Sequence, residues 1–154
     1  MEFLLGKQLP YIVIAMVNFV VLTIVVIFVL QVPLKGSLAA LSLGTLLYVT
    51  ATTGYGLLVS NLTSSQVTAV LLTAIFSMMP TIQFSGMMQP VSTLEGGARV
   101  MGSLWPPAYY LHLSVEAYTK GLDAWTLLPD LLTLAAFSPV FWLLCYMCLR
   151  KQEA

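Results

Sequence analysis

The sequence predicts an all-α polytopic membrane protein with four transmembrane helices and two short interfacial helices before the last span. Two observations carry that class. Only 8% of the 154 residues are charged while 59% are hydrophobic, whereas a soluble domain carries about 25% charge. Between Lys7 and Glu95, moreover, Lys35 is the only charged side chain. A charge at mid-bilayer costs about 2.5–3.5 kcal/mol on insertion scales, so charge-free runs of helix length mark spans. Mean hydropathy is +0.94, more than a soluble core requires.

The first span is expected at about residues 9–31. Pro10 suits a first helical turn, and Asn18 and Thr23 are the notable polar residues of a Val/Ile-rich stretch. Its basic leader reduces to Lys7, its apolar stretch is too long and no A-x-A site follows, so it does not read as a cleaved signal peptide. Val32-Pro33-Leu34-Lys35-Gly36 makes the turn, because Pro stops a helix and Gly permits reversal. The second span, about 37–60, is again free of charge, and Asn61 to Ser65 is a small polar connection. A third span, about 66–88, contains Pro80, which should kink or end the regular helix. A stretch of this length reaches about 34 Å, enough for a hydrocarbon core of about 30 Å.

From Gln89 to Thr126 the character changes, because prolines, glycines and the charges Glu95, Arg99, Glu116, Lys120 and Asp123 interrupt the chain. Two interfacial helices are expected here, about 93–104 and 108–120. Thr93 is the expected cap of the first, which carries Glu95 and Arg99 at i,i+4. In the second, His112, Glu116, Thr119 and Lys120 make one polar stripe, and Leu111, Val115 and Tyr118 lie on another face. Trp105, Tyr109, Tyr110, Tyr118 and Trp125 cluster as amphipathic rings do at headgroup depth. The last span, about 127–149, contains Pro129 and Pro139 and ends on Arg150-Lys151.

Four spans put both termini on one side. Lys7, Arg150 and Lys151 then stand against Lys35, Arg99 and Lys120, a tie that the adjacent Arg150-Lys151 pair tips toward cytoplasmic termini.

Chemistry-bearing patterns are few. Thr52, Gly56 and Ser60, with Gly54 beside them, form a small-residue stripe for close helix packing, either within the chain, against a second copy or along a pathway. His112 and Glu116 have the spacing of half a metal or general-base site, but there is no HExxH and no third ligand nearby, so a solvated stripe is expected. Cys145 and Cys148 read as small buried side chains rather than a metal pair. Asn61-Leu62-Thr63 fits the glycosylation pattern by chance, on the wrong side for the expected orientation. No GxxxxGK[ST] and no nucleophile-base-acid set occur, and no basic run suits nucleic acid.

Taken in order, the residues resemble the membrane subunit of ABC-2 type transporters across essentially the whole chain. The matching features are Glu2 to Lys7 with Gly6 before the first span, Ser60 through Gln66, Pro80 followed by Phe84-Ser85-Gly86, Gln89-Pro90, Pro107-Ala108-Tyr109-Tyr110, and Lys120-Gly121. The text is closest to the YhhJ-like bacterial inner-membrane permeases. The resemblance implies a six-helix permease half with cytoplasmic termini and short helices at the extracytoplasmic face. It also implies a second permease subunit and a separate ATPase that holds ATP and Mg and docks on a coupling helix just before Gly6-Lys7, so this chain is expected to bind no cofactor. Family members carry two further spans upstream, so the expectation is a C-terminal portion holding the final four spans and the tail of the coupling region. The implied activity is export of an apolar or amphipathic substrate, with no covalent chemistry. The alternative is a small membrane adaptor acting by helix-helix association.

Overall fold

A computed structural model describes residues 2–63, 65–88, 90–93, 95–121 and 125–152, with the side chains of residues 2–5, 91, 146 and 148–152 outside the description. Six α-helices follow in order: α1 (Glu2–Ile24), α2 (Leu38–Leu62), α3 (Gln66–Phe84), α4 (Gly96–Ser103), α5 (Pro106–Thr119) and α6 (Leu128–Gln152). No strand occurs among the described residues. Four of these helices, α1, α2, α3 and α6, are long and apolar enough to cross a membrane. The chain is a multi-pass membrane protein.

Element ends follow local chemistry. A π-helical turn, Val25–Val29, prolongs α1, and the chain leaves it through Gln31, a non-glycine residue at φ 52°. Ser37 caps α2 by accepting from the Ala40 amide. Pro80 does not end α3, which continues to Phe84. What stops it is Gly86 at φ 95°, a left-handed residue placed just past the Ser85 cap, four residues short of the expected end at 88. Thr93 does not cap α4: its hydroxyl donates back to the Pro90 carbonyl at 2.7 Å inside a 3-10 turn, and α4 begins at Gly96 instead. At α5, Pro106 and Pro107 form the first turn, where a missing N–H costs nothing, so this helix starts two residues earlier than expected.

Helix α2 is the axis of the bundle. It packs most extensively on α6 and also lies against α1 and α5, whereas α3 touches α2 lightly and has no buried residue. Lipid tails are as apolar as leucine, so contact in a bilayer must be stabilised by close fit and hydrogen bonds. Gly44 supplies the fit at one level, where a β-carbon would stand 2.9 Å from Leu113 Cδ1. Gly54 supplies it at another, 3.3 Å from Phe141 Cβ. The hydroxyls of Thr45, Thr50, Thr52 and Thr53 donate to carbonyls one turn back, which satisfies them without water.

The second interfacial helix departs most from expectation. Instead of lying flat at one end of the bundle, α5 runs antiparallel to α2 in the groove between α2 and α6. Its C-terminal end meets the α1–α2 loop, where the Gly36 amide donates to the Ala117 carbonyl at 2.8 Å. Further along, Leu113 covers Gly44, and Tyr110 stacks on Tyr48 at 4.5 Å and shares a hydrogen bond with Thr45. At its N-terminal end Trp105 meets Tyr55 edge-on at 6.0 Å, at a point about 26 Å along α2 from Leu38. Leu41, Leu113, Ala117 and Leu131 form the core where the three helices meet. Of the apolar face expected from the sequence, Tyr118 packs against this core, whereas Leu111 and Val115 border a cavity; the groove itself covers Leu113 and Ala117.

Candidate functional site

On the side of α5 turned away from Gly44, the first turns of α6 bring together four ionisable residues. The His112 imidazole lies between two carboxylates, with Nδ1 at 2.7 Å from Asp130 Oδ2 and Nε2 at 3.2 Å from Glu116 Oε1. The Lys120 ammonium sits 3.0 Å from that same Glu116 oxygen. Helical spacing sets two of these contacts, because residues four apart share a face. Asp130 joins only through the packing of α6 on α5. The expected solvated stripe therefore holds for His112, Thr119 and Lys120, which are exposed, but not for Glu116, which is buried at 6% exposure. Burial of that carboxylate is tolerable because Lys120 and His112 both reach it.

A cavity of about 530 Å³ opens beside this cluster. Ala108, Leu111 and Val115 of α5 form its apolar wall, and His112 and Asp130 stand at its polar end. Ser85 and Gly86 after α3 also border it, as do Pro90 and Tyr109. Tyr109 is held in place by donating to the Ser103 carbonyl at 2.6 Å.

A second polar node joins α1, α2 and α6 near the middle of α2. Gln8, 1% exposed, donates through Nε2 to the Thr50 carbonyl and to Thr53 Oγ1, both at 2.7 Å, and its Oε1 accepts from Trp142 Nε1 at 2.8 Å. All of its described bonds link α1 to α2 and α6. Reading the sequence alone missed this residue, because Gln8 precedes the apolar run and nothing in its spacing points to Trp142. Asn18, the polar residue the sequence does single out, is exposed on α1.

The remaining sequence-selected residues are dispersed. Of the small-residue stripe, Gly54 touches α6, whereas a β-carbon on Gly56 would meet nothing within 4 Å. Gly56 and Ser60 instead line an open groove against α3. Thr52 is half-buried and bonds back to the Tyr48 carbonyl. Pro80 lies within α3, and Pro107 is buried in the first turn of α5 beside Tyr109 and Tyr110. The Thr81 hydroxyl next to Pro80 accepts from Trp105 Nε1 at 3.0 Å, which ties α3 to the start of α5. Gly6 and Lys7 are exposed in the first turns of α1, while the Glu2 side chain lies outside the described residues. So do Gln89, Asp123 and the side chains of Cys148, Arg150 and Lys151. Cys145 is buried and accepts from Asn61 Nδ2 at 3.0 Å.

Four helices long and apolar enough to cross a membrane, with a short helix seated among them and a polar-ended cavity alongside, define a multi-pass membrane protein. Residues 1–146 match the family model described as ABC-2 family transporter protein, and the chain belongs to that family. It is similar to the probable multidrug ABC transporter permease YbhS of Escherichia coli K12, with 26% identity over 98% of this chain and 40% of the relative. The probable multidrug ABC transporter permease YbhR of the same strain is 29% identical over 88% of this chain and 37% of the relative. The chain thus spans about 40% of the length of the curated relatives it matches. No solved structure matches it.

Proposed function

We propose that this chain forms the C-terminal portion of the membrane subunit of an ATP-binding cassette exporter in a bacterial inner membrane. The observation that carries the reading is the family match over residues 1–146, on a fold with four membrane-length helices. Energy comes from a separate ATPase chain that holds ATP and Mg, and a second permease subunit completes the pathway. Both termini face the ATPase in the cytoplasm, so Gly6 and Lys7 sit close to its docking surface and α4 and α5 open toward the extracytoplasmic side. ATP-driven closure of the ATPases rocks the α1–α2–α6 unit, held together by the Gln8 node, and moves an apolar or amphipathic substrate outward. This chain contributes shape and pathway, with no covalent step and no bound cofactor of its own. The word multidrug in the names of YbhS and YbhR supports a substrate class of this kind.

The test is ATP-dependent dye transport in inverted membrane vesicles carrying the full transporter. Removal of the segment corresponding to residues 1–154 should abolish transport, and transport that persists at the original rate would remove these helices from the pathway.

A further inference from the structure

The two carboxylates of the cluster are placed unequally about the cavity beside α5. Glu116 is matched by Lys120 at 3.0 Å, and Lys120 is not part of the cavity wall. Asp130 does border the cavity, and its described partner is His112, which carries charge only when protonated. Asp130 is thus the one carboxylate among the described residues that border the cavity. A second feature points the same way: Ser85 borders the same cavity, is 3% exposed, and its hydroxyl oxygen is buried with no hydrogen-bond partner among the described residues. Buried hydroxyls are normally paired, and one left unpaired beside a cavity is ready to bond whatever enters. The volume of about 530 Å³ lies in the range of small-ligand sites, which combine mainly apolar walls with a few placed polar groups.

We propose that this cavity binds a primary organic ammonium ion with an apolar body. The ammonium pairs with Asp130 in place of His112 and bonds the Ser85 hydroxyl, and the apolar part lies against Ala108, Leu111 and Val115. A metal ion is the competing occupant, since donor atoms of His112, Glu116 and Asp130 lie within 4.8 Å of one another. Both imidazole nitrogens already face carboxylates, however, and Lys120 holds Glu116 Oε1. The binding claim does not depend on the transport reading; only the assignment of such a ligand as cargo does.

Equilibrium dialysis against the chain in phosphatidylcholine nanodiscs, with empty nanodiscs subtracted, tests it without ATPase or transport. Phenethylammonium and 2-phenylethanol are the two probes, alike in their ring and both able to hydrogen bond, but unlike in charge. The ammonium should bind wild type about tenfold more tightly than the alcohol. Asp130→Asn should remove that advantage while leaving the alcohol's affinity in place, which also shows that the variant is folded. Ser85→Ala should weaken both probes about threefold. Equal binding of the two probes to wild type, or ammonium binding unchanged in Asp130→Asn, overturns the proposal. Saturable Zn²⁺ binding lost in His112→Ala, with no ammonium binding, overturns it in favour of a metal centre.

Discussion

Two glycines two residues apart on α2 have different tasks. Gly54 lets α6 approach α2 so closely that a β-carbon would stand 3.3 Å from Phe141 Cβ and 3.6 Å from Trp142 Cδ1, and the same approach brings Trp142 within reach of Gln8. Gly56 faces a groove of about 470 Å³ toward α3 and touches nothing there. Replacement by leucine should separate them: Gly54→Leu overfills the contact and should cost about 1–3 kcal/mol, while Gly56→Leu should stay within about 0.5 kcal/mol. Reversible unfolding of the nanodisc-reconstituted chain measures both, and equal losses at the two positions would show that the close contact has been misplaced. From the sequence, Thr52, Gly54, Gly56 and Ser60 were visible as one small-residue set, but residue size says nothing about which member meets a neighbour.

At the scale of elements, α5 separates pattern from placement. Its presence and approximate length were legible, but its start was expected at 108 rather than Pro106, and its apolar face was read as Leu111, Val115 and Tyr118 whereas Leu113 and Ala117 are the fully buried pair. Its position was not, because an apolar stripe is equally satisfied by lipid at the headgroup boundary or by a groove between two helices. The groove wins through Gly44, which leaves room for Leu113, and through the stacked pair Tyr48 and Tyr110. A cysteine pair placed at Tyr48 and Tyr110, with Cys145 and Cys148 replaced by serine, should cross-link in high yield with a short bifunctional thiol reagent. A helix lying flat across the bundle end would hold these positions too far apart, so absence of the cross-link in a folded, reconstituted sample would refute the lengthwise placement.

The whole molecule is a four-pass bundle whose two sides differ. The α1–α2 loop, the C-terminal end of α5 and the start of α6 share one side, tied by the Gly36–Ala117 hydrogen bond, while the Asn61–Cys145 contact marks the other. Thiols introduced at Thr119 and at Gly6, both exposed, should accordingly react with a membrane-impermeant maleimide from opposite sides of sealed vesicles. The orientation proposed above makes Thr119 the one that reacts in right-side-out vesicles. Modification of both from a single side would mean an even number of crossings between them and break the four-pass arrangement.

What the sequence settled by itself was solvent and class: charge-free runs of helix length can rest only in hydrocarbon, and their order with the intervening proline, glycine and tyrosine motifs marked the ABC-2 family, to which residues 1–146 match. Tertiary structure alone decided which polar groups meet. Gln8 and Trp142 lie at opposite ends of the chain, and Asp130 reaches His112 only because α6 folds back along α5. Local spacing governs contacts one turn apart along a helix, whereas contacts between helices depend on where small residues let backbones come close, and that is a property of the packed bundle.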